Sequence, residues 1–163
     1  MPFVPIIMGS KSDLSHGQAI AKALAELGIG SEIRVASAHK VPRYVLELLA
    51  EYEADPRPKV YITIAGRSNA LSGLVDGSVV APVIACPPYS ERFCGADLYS
   101  SLRMPSGIAP AVVLEPGGAA LLAAKMLALA DPDLRQRVAQ AQREAAQTLL
   151  ADDASLRNAA VRP

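Results

Sequence analysis

Apolar residues in this chain fall into short unbroken runs that alternate with stretches of helical spacing. Phe3 to Met8 is the first run, closing on the polar turn Gly9-Ser10-Lys11-Ser12-Asp13. Ile20, Ala23, Leu24 and Leu27 then recur at the three-to-four-residue interval of a helix face, with Gly28 as the stop. Glu32 to Val35 predicts a second strand, ending at Ser37-Ala38-His39-Lys40, and Pro42 opens a helix carried by Val45, Leu48, Leu49 and Tyr52. Val60 to Ala65 predicts a buried third strand; Gly66-Arg67-Ser68-Asn69 ends it, and a helix is expected over 70–80, weakened by Gly73 and Gly77. Val83 to Cys86 predicts a fourth strand, stopped by Pro87-Pro88. Residues 89–110 read as irregular, with a short helix around 97–102, and Ala111 to Leu114 predicts a fifth strand. Pro116-Gly117-Gly118 leads into a helix through Ala130, and Asp131-Pro132 restarts the chain as a last helix to about Leu150. From Asp152 the sequence turns polar, which predicts a fraying tail over 152–163.

Unbroken apolar strands alternating with helices imply a parallel sheet covered on both faces. In such sheets ligands bind beyond the carboxyl ends of the strands, near a switch in strand order. Three consecutive strands here end in polar turns bearing glycine or serine, and these would converge at that edge.

Composition narrows the class. The 163 residues are 51% hydrophobic and 20% charged, with mean hydropathy +0.23, which fits one well-packed domain over 1–163 and argues against disorder. Aromatics are only 4% and tryptophan is absent, so the core must be aliphatic and alanine-rich. Sixteen basic residues balance sixteen acidic ones, and no basic stripe favours nucleic acid or a membrane surface as partner. No apolar run approaches the ~20 residues of a membrane span, and the N-terminus lacks a signal-peptide pattern, so a cytoplasmic protein is expected. Two cysteines, Cys86 and Cys94, make neither a disulfide framework nor a full zinc site, and no metal is expected.

The three turns carry the candidate chemistry. In the first, glycine allows close backbone approach and the N–H groups at a helix start favour an anion such as phosphate, while Asp13 can accept from sugar hydroxyls. The alternative is that Ser12 or Asp13 only caps the helix. In the second turn, Ser37, His39 and Lys40 bring together a hydroxyl, an imidazole suited to proton transfer and an ammonium suited to phosphate. The alternative is a solvated polar turn with His39 as a cap. The third turn offers Arg67, Ser68 and Asn69 as donors to a carboxylate or phosphate oxygen, or else Ser68 or Asn69 as a cap. The only other histidine, His16, lies early in the first helix and is expected at the surface. Cys86, ending a buried strand, is expected to be structural.

Read in order, MGSKSD, SAHK, AGRSNAL, CPP and SSLRMPSG resemble the phosphoribosylaminoimidazole carboxylases of purine biosynthesis, over about residues 5 to 150. The resemblance implies a flavodoxin-like three-layer α/β/α single domain that assembles into tetramers or octamers with sites between subunits. It also implies carboxylation of 5-aminoimidazole ribonucleotide (AIR) to 4-carboxy-5-aminoimidazole ribonucleotide (CAIR), without a cofactor. Two branches exist. The mutase branch, which moves a carboxylate from the exocyclic amine to carbon 4, typically carries SAHR and a longer glycine-rich loop with a second histidine. Lys40 and the short Gly66–Leu71 segment resemble instead the class II branch, which adds free CO2 directly. By the same resemblance Ser10 and Asp13 would hold the phosphoribosyl part, Ser37 and Lys40 the phosphate, and His39 would be the general acid/base. Arg67, Ser68 and Asn69 would line the region of CO2 and the new carboxylate, and the Met104-Pro105 loop would close over the base. A non-catalytic nucleotide-binding domain using the same turns is the alternative of another class.

Overall fold

The computed structural model describes residues 1–160. Five parallel strands, β1 (Phe3–Met8), β2 (Gly30–Val35), β3 (Tyr61–Ile64), β4 (Val83–Ala85) and β5 (Ala111–Val112), form one sheet in the order β2-β1-β3-β4-β5. The helices are α1 (Leu14–Glu26), α2 (Pro42–Glu53), α3 (Ala70–Asp76), the short α4 (Tyr99–Leu102), α5 (Pro116–Leu127) and α6 (Pro132–Ala160). This is the flavodoxin-like order, whose direction switches between β1 and β3.

Strand alternation distributes the core between two layers. Val4, Ile6 and Met8 of β1 face one layer with Ile20 and Leu24 of α1, the alanines of α5, and Leu134 and Val138 of α6. Phe3 and Ile7 face the other, with Val45, Leu48 and Tyr52 of α2 and Leu71 and Val75 of α3. Small residues set the first spacing: Ala119, Ala120, Ala123 and Ala124 are all buried in α5, and a Cβ on Gly17 of α1 would lie 2.9 Å from Met8 Sδ. Gly28, at φ 72°, takes the left-handed conformation that ends α1, as its position after the last apolar residue predicts. Three of the seven aromatics, Phe3, Tyr52 and Tyr61, are buried on the other face in a chain of ring contacts at 5.9 and 6.1 Å, the first tilted and the second edge-on.

Two boundaries differ from the sequence reading. Helix α3 stops at Asp76 rather than 80, because Gly77 takes the cap position against the Ile108 side chain, where a Cβ would meet Ile108 Cδ1 at 2.9 Å. Helix α6 continues to Ala160, ten residues beyond its expected end and through the segment expected to fray; residues 161–163 of that segment lie outside the described residues. Its apolar stripe covers its own domain only at Leu134 and Val138, whereas Leu149 and Leu156 are each 71% exposed. Among the described residues no helix is long and apolar enough to cross a membrane.

Candidate active site

The ladder of the sheet brings the three turns together. Ala36, the residue before Ser37, donates its N–H to Met8 O at 2.8 Å, and Gly9 donates to Ile64 O at 2.9 Å. The turns after β2, β1 and β3 therefore start from neighbouring strand ends, about 4.8 Å apart in the hydrogen-bonding direction, on either side of the switch point.

In the first turn Ser10 is the cap. Its Oγ accepts from Ser12 N at 3.2 Å and from the Ser12 hydroxyl at 2.8 Å, closing a single 3-10 turn over Lys11–Asp13 before α1 begins. Of the expected cap residues, Ser12 lies within this turn, and Asp13 stands at the N-cap position of α1, half-buried and without a side-chain cap bond. In the second turn Lys40 and Val41 both donate main-chain N–H groups to Ser37 O, at 3.3 and 2.9 Å. Val41 takes the N-cap position of α2, so His39 is no cap; its imidazole and the Lys40 ammonium are exposed.

The third turn is the most constrained. Arg67 has φ 57°, a left-handed conformation that costs a non-glycine residue on the order of 1 kcal/mol. Asn69 is buried and caps α3, its Oδ1 accepting from Ser72 N at 3.1 Å. Its Nδ2 reaches Ser72 Oγ at 2.7 Å and Ser101 Oγ at 2.9 Å, and Ser72 Oγ meets Thr63 Oγ1 at 2.7 Å. Thr63, Asn69, Ser72 and Ser101 are the four buried polar residues described, and they form this one cluster. Asn69 thus follows the cap reading: its amide is engaged inside the fold rather than lining the site.

Arg67 and Ser68 remain exposed and, with Phe93, Ala96, Asp97 and Ser100, line an open depression of about 500 Å³. A second depression of about 410 Å³ runs from Lys40 along the start of α2. Ser10, Asp13, Ser37 and His39 line neither of these two depressions, though their turns leave the same edge of the sheet. Met104 lies against α3, where a Cβ on Gly73 would be 3.2 Å from its Sδ, and Ala109 N donates to Asp76 at 2.8 Å.

His16 corrects the sequence reading. It is half-buried rather than at the surface, with Nε2 3.3 Å from Cys86 Sγ. Burial holds its imidazole below the ordinary histidine value, outweighing the Cys86 main chain and the acidic groups of Asp13 and Glu115. Burial likewise pushes the Cys86 thiol up to about 12, with Glu115 adding to the shift, so the reactive thiolate is scarce at neutral pH. The other thiol, Cys94, is exposed. Native protein is therefore expected to give one fast-reacting thiol per chain with a disulfide reagent and two after denaturation; two fast thiols in the native state would contradict the buried His16–Cys86 arrangement.

The short helix expected around 97–102 is present as a 3-10 turn over Ala96–Leu98 followed by α4, but the parts that Asp97, Ser100 and Ser101 play at the third turn escaped sequence reading. Ser100 and Ser101 open the SSLRMPSG motif, whereas Asp97 lies before it. Among the described residues no three His, Cys, Asp or Glu side chains gather as a metal site.

Comparison with known proteins bears on the same edge. The sequence model described as AIRC, AIR carboxylase, matches residues 3–148. A phosphoribosylaminoimidazole carboxylase of Treponema denticola is 55% identical over 96% of this chain and 98% of its own length. One of Archaeoglobus fulgidus is 53% identical over 93% of this chain and 83% of its own length. The crystal structure of Treponema denticola PurE superposes with a TM-score of 0.94 at 55% identity, covering 96% of this chain and 99% of that one.

Proposed function

The chain belongs to the AIR carboxylase family, and we propose that it converts AIR to CAIR with free CO2 by the class II route, using His39 as its proton acceptor. The match of residues 3–148 to the family carries this reading, and the junction of the three turns at adjacent strand ends supports it. It is a carboxy-lyase reaction of purine biosynthesis.

The chemistry needs little from the protein besides orientation and one base. The aminoimidazole ring is an electron-rich enamine, so the electron pair at carbon 4 attacks the CO2 carbon and forms the new C–C bond. Carbon 4 then carries both a proton and a carboxylate. Transfer of that proton to the His39 imidazole returns the C–H electron pair to the ring and restores aromaticity. Ser10 and Asp13 hold the ribose side, Ser37 and Lys40 the phosphate, and the donors of Arg67 and Ser68 face the carboxylate. Asn69 serves the same turn from inside the fold. Holding ring and CO2 in one pocket removes much of the entropic barrier.

The site is open on a single chain, and the far half of α6 leaves Leu149, Leu150 and Leu156 exposed. Both features suit a homo-oligomer, a tetramer or octamer, in which neighbouring copies cover the apolar surface and complete the pocket. Lys40 and the short turn after β3 favour direct use of CO2 over the mutase route. Because the reaction is reversible, CAIR supplied alone should be decarboxylated to AIR without an added nucleoside triphosphate. Stable CAIR in the presence of the protein, with AIR still bound, would favour a non-catalytic binding domain.

A further inference from the structure

Sequence positions 97 to 101 lie some thirty residues from the third turn, yet they hold it at four points. The Asp97 carboxylate accepts Arg67 N–H at 2.9 Å. Ser100 Oγ donates to Arg67 O at 2.9 Å and accepts from Asn69 N at 3.0 Å. Ser101 Oγ, buried, takes the Asn69 amide at 2.9 Å. A Cβ on Gly66 would be in van der Waals contact with Asp97 Oδ2, at 3.5 Å. The residue so gripped is Arg67, whose left-handed backbone is unfavourable unless its surroundings enforce it. Asp97 and Ser100 also line the 500 Å³ depression together with Arg67 and Ser68.

We propose that Asp97 is a positioning residue for the reaction: its carboxylate fixes the Arg67 peptide in the left-handed conformation and so aims the Arg67 and Ser68 donors at the carboxylate being formed. Asp97 acts through this turn and touches no reacting atom. The inference rests on the role given to the turn under the carboxylase reading. The acceptor supplies one charge-assisted bond to a main-chain N–H. Without it, the turn relaxes toward ordinary backbone angles and its donors shift, while the groups for the phosphoribosyl part, on the turns after β1 and β2, stay in place.

The test compares Asp97→Ala and Asp97→Asn with the unaltered protein in three readouts: CO2-dependent CAIR formation, thermal melting, and amide hydrogen exchange over 66–69. Asp97→Ala should lower kcat on the order of a hundredfold, the effect of about 1 Å of misplacement, with KM for AIR nearly unchanged. Exchange should accelerate at 66–69 and nowhere else. Asp97→Asn, which keeps an oxygen acceptor, should restore most of the rate. Unchanged kcat and exchange in Asp97→Ala would overturn the proposal. So would equal losses in both variants, or a failure to fold, since either would make Asp97 a support of the whole domain. If the unaltered protein forms no CAIR, the carboxylase reading fails separately, and the exchange pattern alone decides whether Asp97 holds the turn.

Discussion

Replacing His39 with asparagine is expected to lower kcat for CAIR formation by about a thousandfold, the range of a lost general base, while AIR still binds. The setting of the residue makes this a clean test. His39 is exposed, and the turn around it is closed by main-chain bonds from Lys40 and Val41 to Ser37 O, with Ala36 anchored on Met8. None of these uses the imidazole. The substitution should therefore change stability by less than about 0.5 kcal/mol, as for ordinary surface positions. Steady-state rates, AIR binding by calorimetry and a melting curve together separate chemistry from folding. A variant that binds AIR and turns over at the original rate would remove His39 from the mechanism. One that loses binding as well would make His39 part of the substrate cradle rather than the base.

The second large effect is expected on stability. Asn69→Ala deletes the cap of α3 and leaves Ser72 N and the Ser101 hydroxyl without their partner in a buried setting. A lost cap costs about 1 kcal/mol, and each buried polar group left unpaired about 1–3 kcal/mol. We expect a loss of about 3 kcal/mol, and at the usual proportion for a chain of this size a fall in melting temperature of about 6–12 °C. The turn carrying Arg67 and Ser68 would loosen with it, so carboxylation should fall too. Denaturant unfolding measures the first effect. A change below about 1 kcal/mol would show that water or a neighbouring hydroxyl replaces the amide, and that the cluster is not what fixes the turn.

The contrast between these two residues shows where sequence reading reached. His39, Lys40, Ser10 and Arg67 sit on turns between a hydrophobic run and a helix, and hydropathy period alone locates such turns. The parallel sheet follows from the unbroken apolar strands, and the flavodoxin-like fold implied by the family resemblance agrees with the order β2-β1-β3-β4-β5. What remained hidden depends on contacts between distant segments. Asn69 offers a cap to the residue three positions on, which is a local signal, but its second partner, Ser101, is 32 residues away. Asp97 meets Arg67 across 30 residues, and His16 meets Cys86 across 70. Nothing near His16 in the chain marks it as half-buried, because the thiol that it touches arrives from β4.

The end of α6 was missed for a different reason. Asp152, Asp153 and Asn158 read as a polar tail, yet Asp153 and Arg157 stand one helical turn apart and pair at 2.9 Å. Leu149 and Leu156, two helical turns apart, continue the helical spacing through that polar stretch. The helix so formed has 29 residues and is about 44 Å long, and Leu149, Leu150 and Leu156 in its far half are exposed.

The central claim is direct use of CO2 at carbon 4. The measurement that tests it most directly supplies AIR with CO2 in one reaction and the N-carboxylated amine in bicarbonate-free buffer in another, following CAIR in both. CAIR should form from AIR and CO2, and the carboxylated amine should be consumed no faster than it breaks down by itself. Rapid conversion of the carboxylated amine, with AIR and CO2 left unused, would make the protein a mutase and contradict the reading of Lys40 and the short turn after β3.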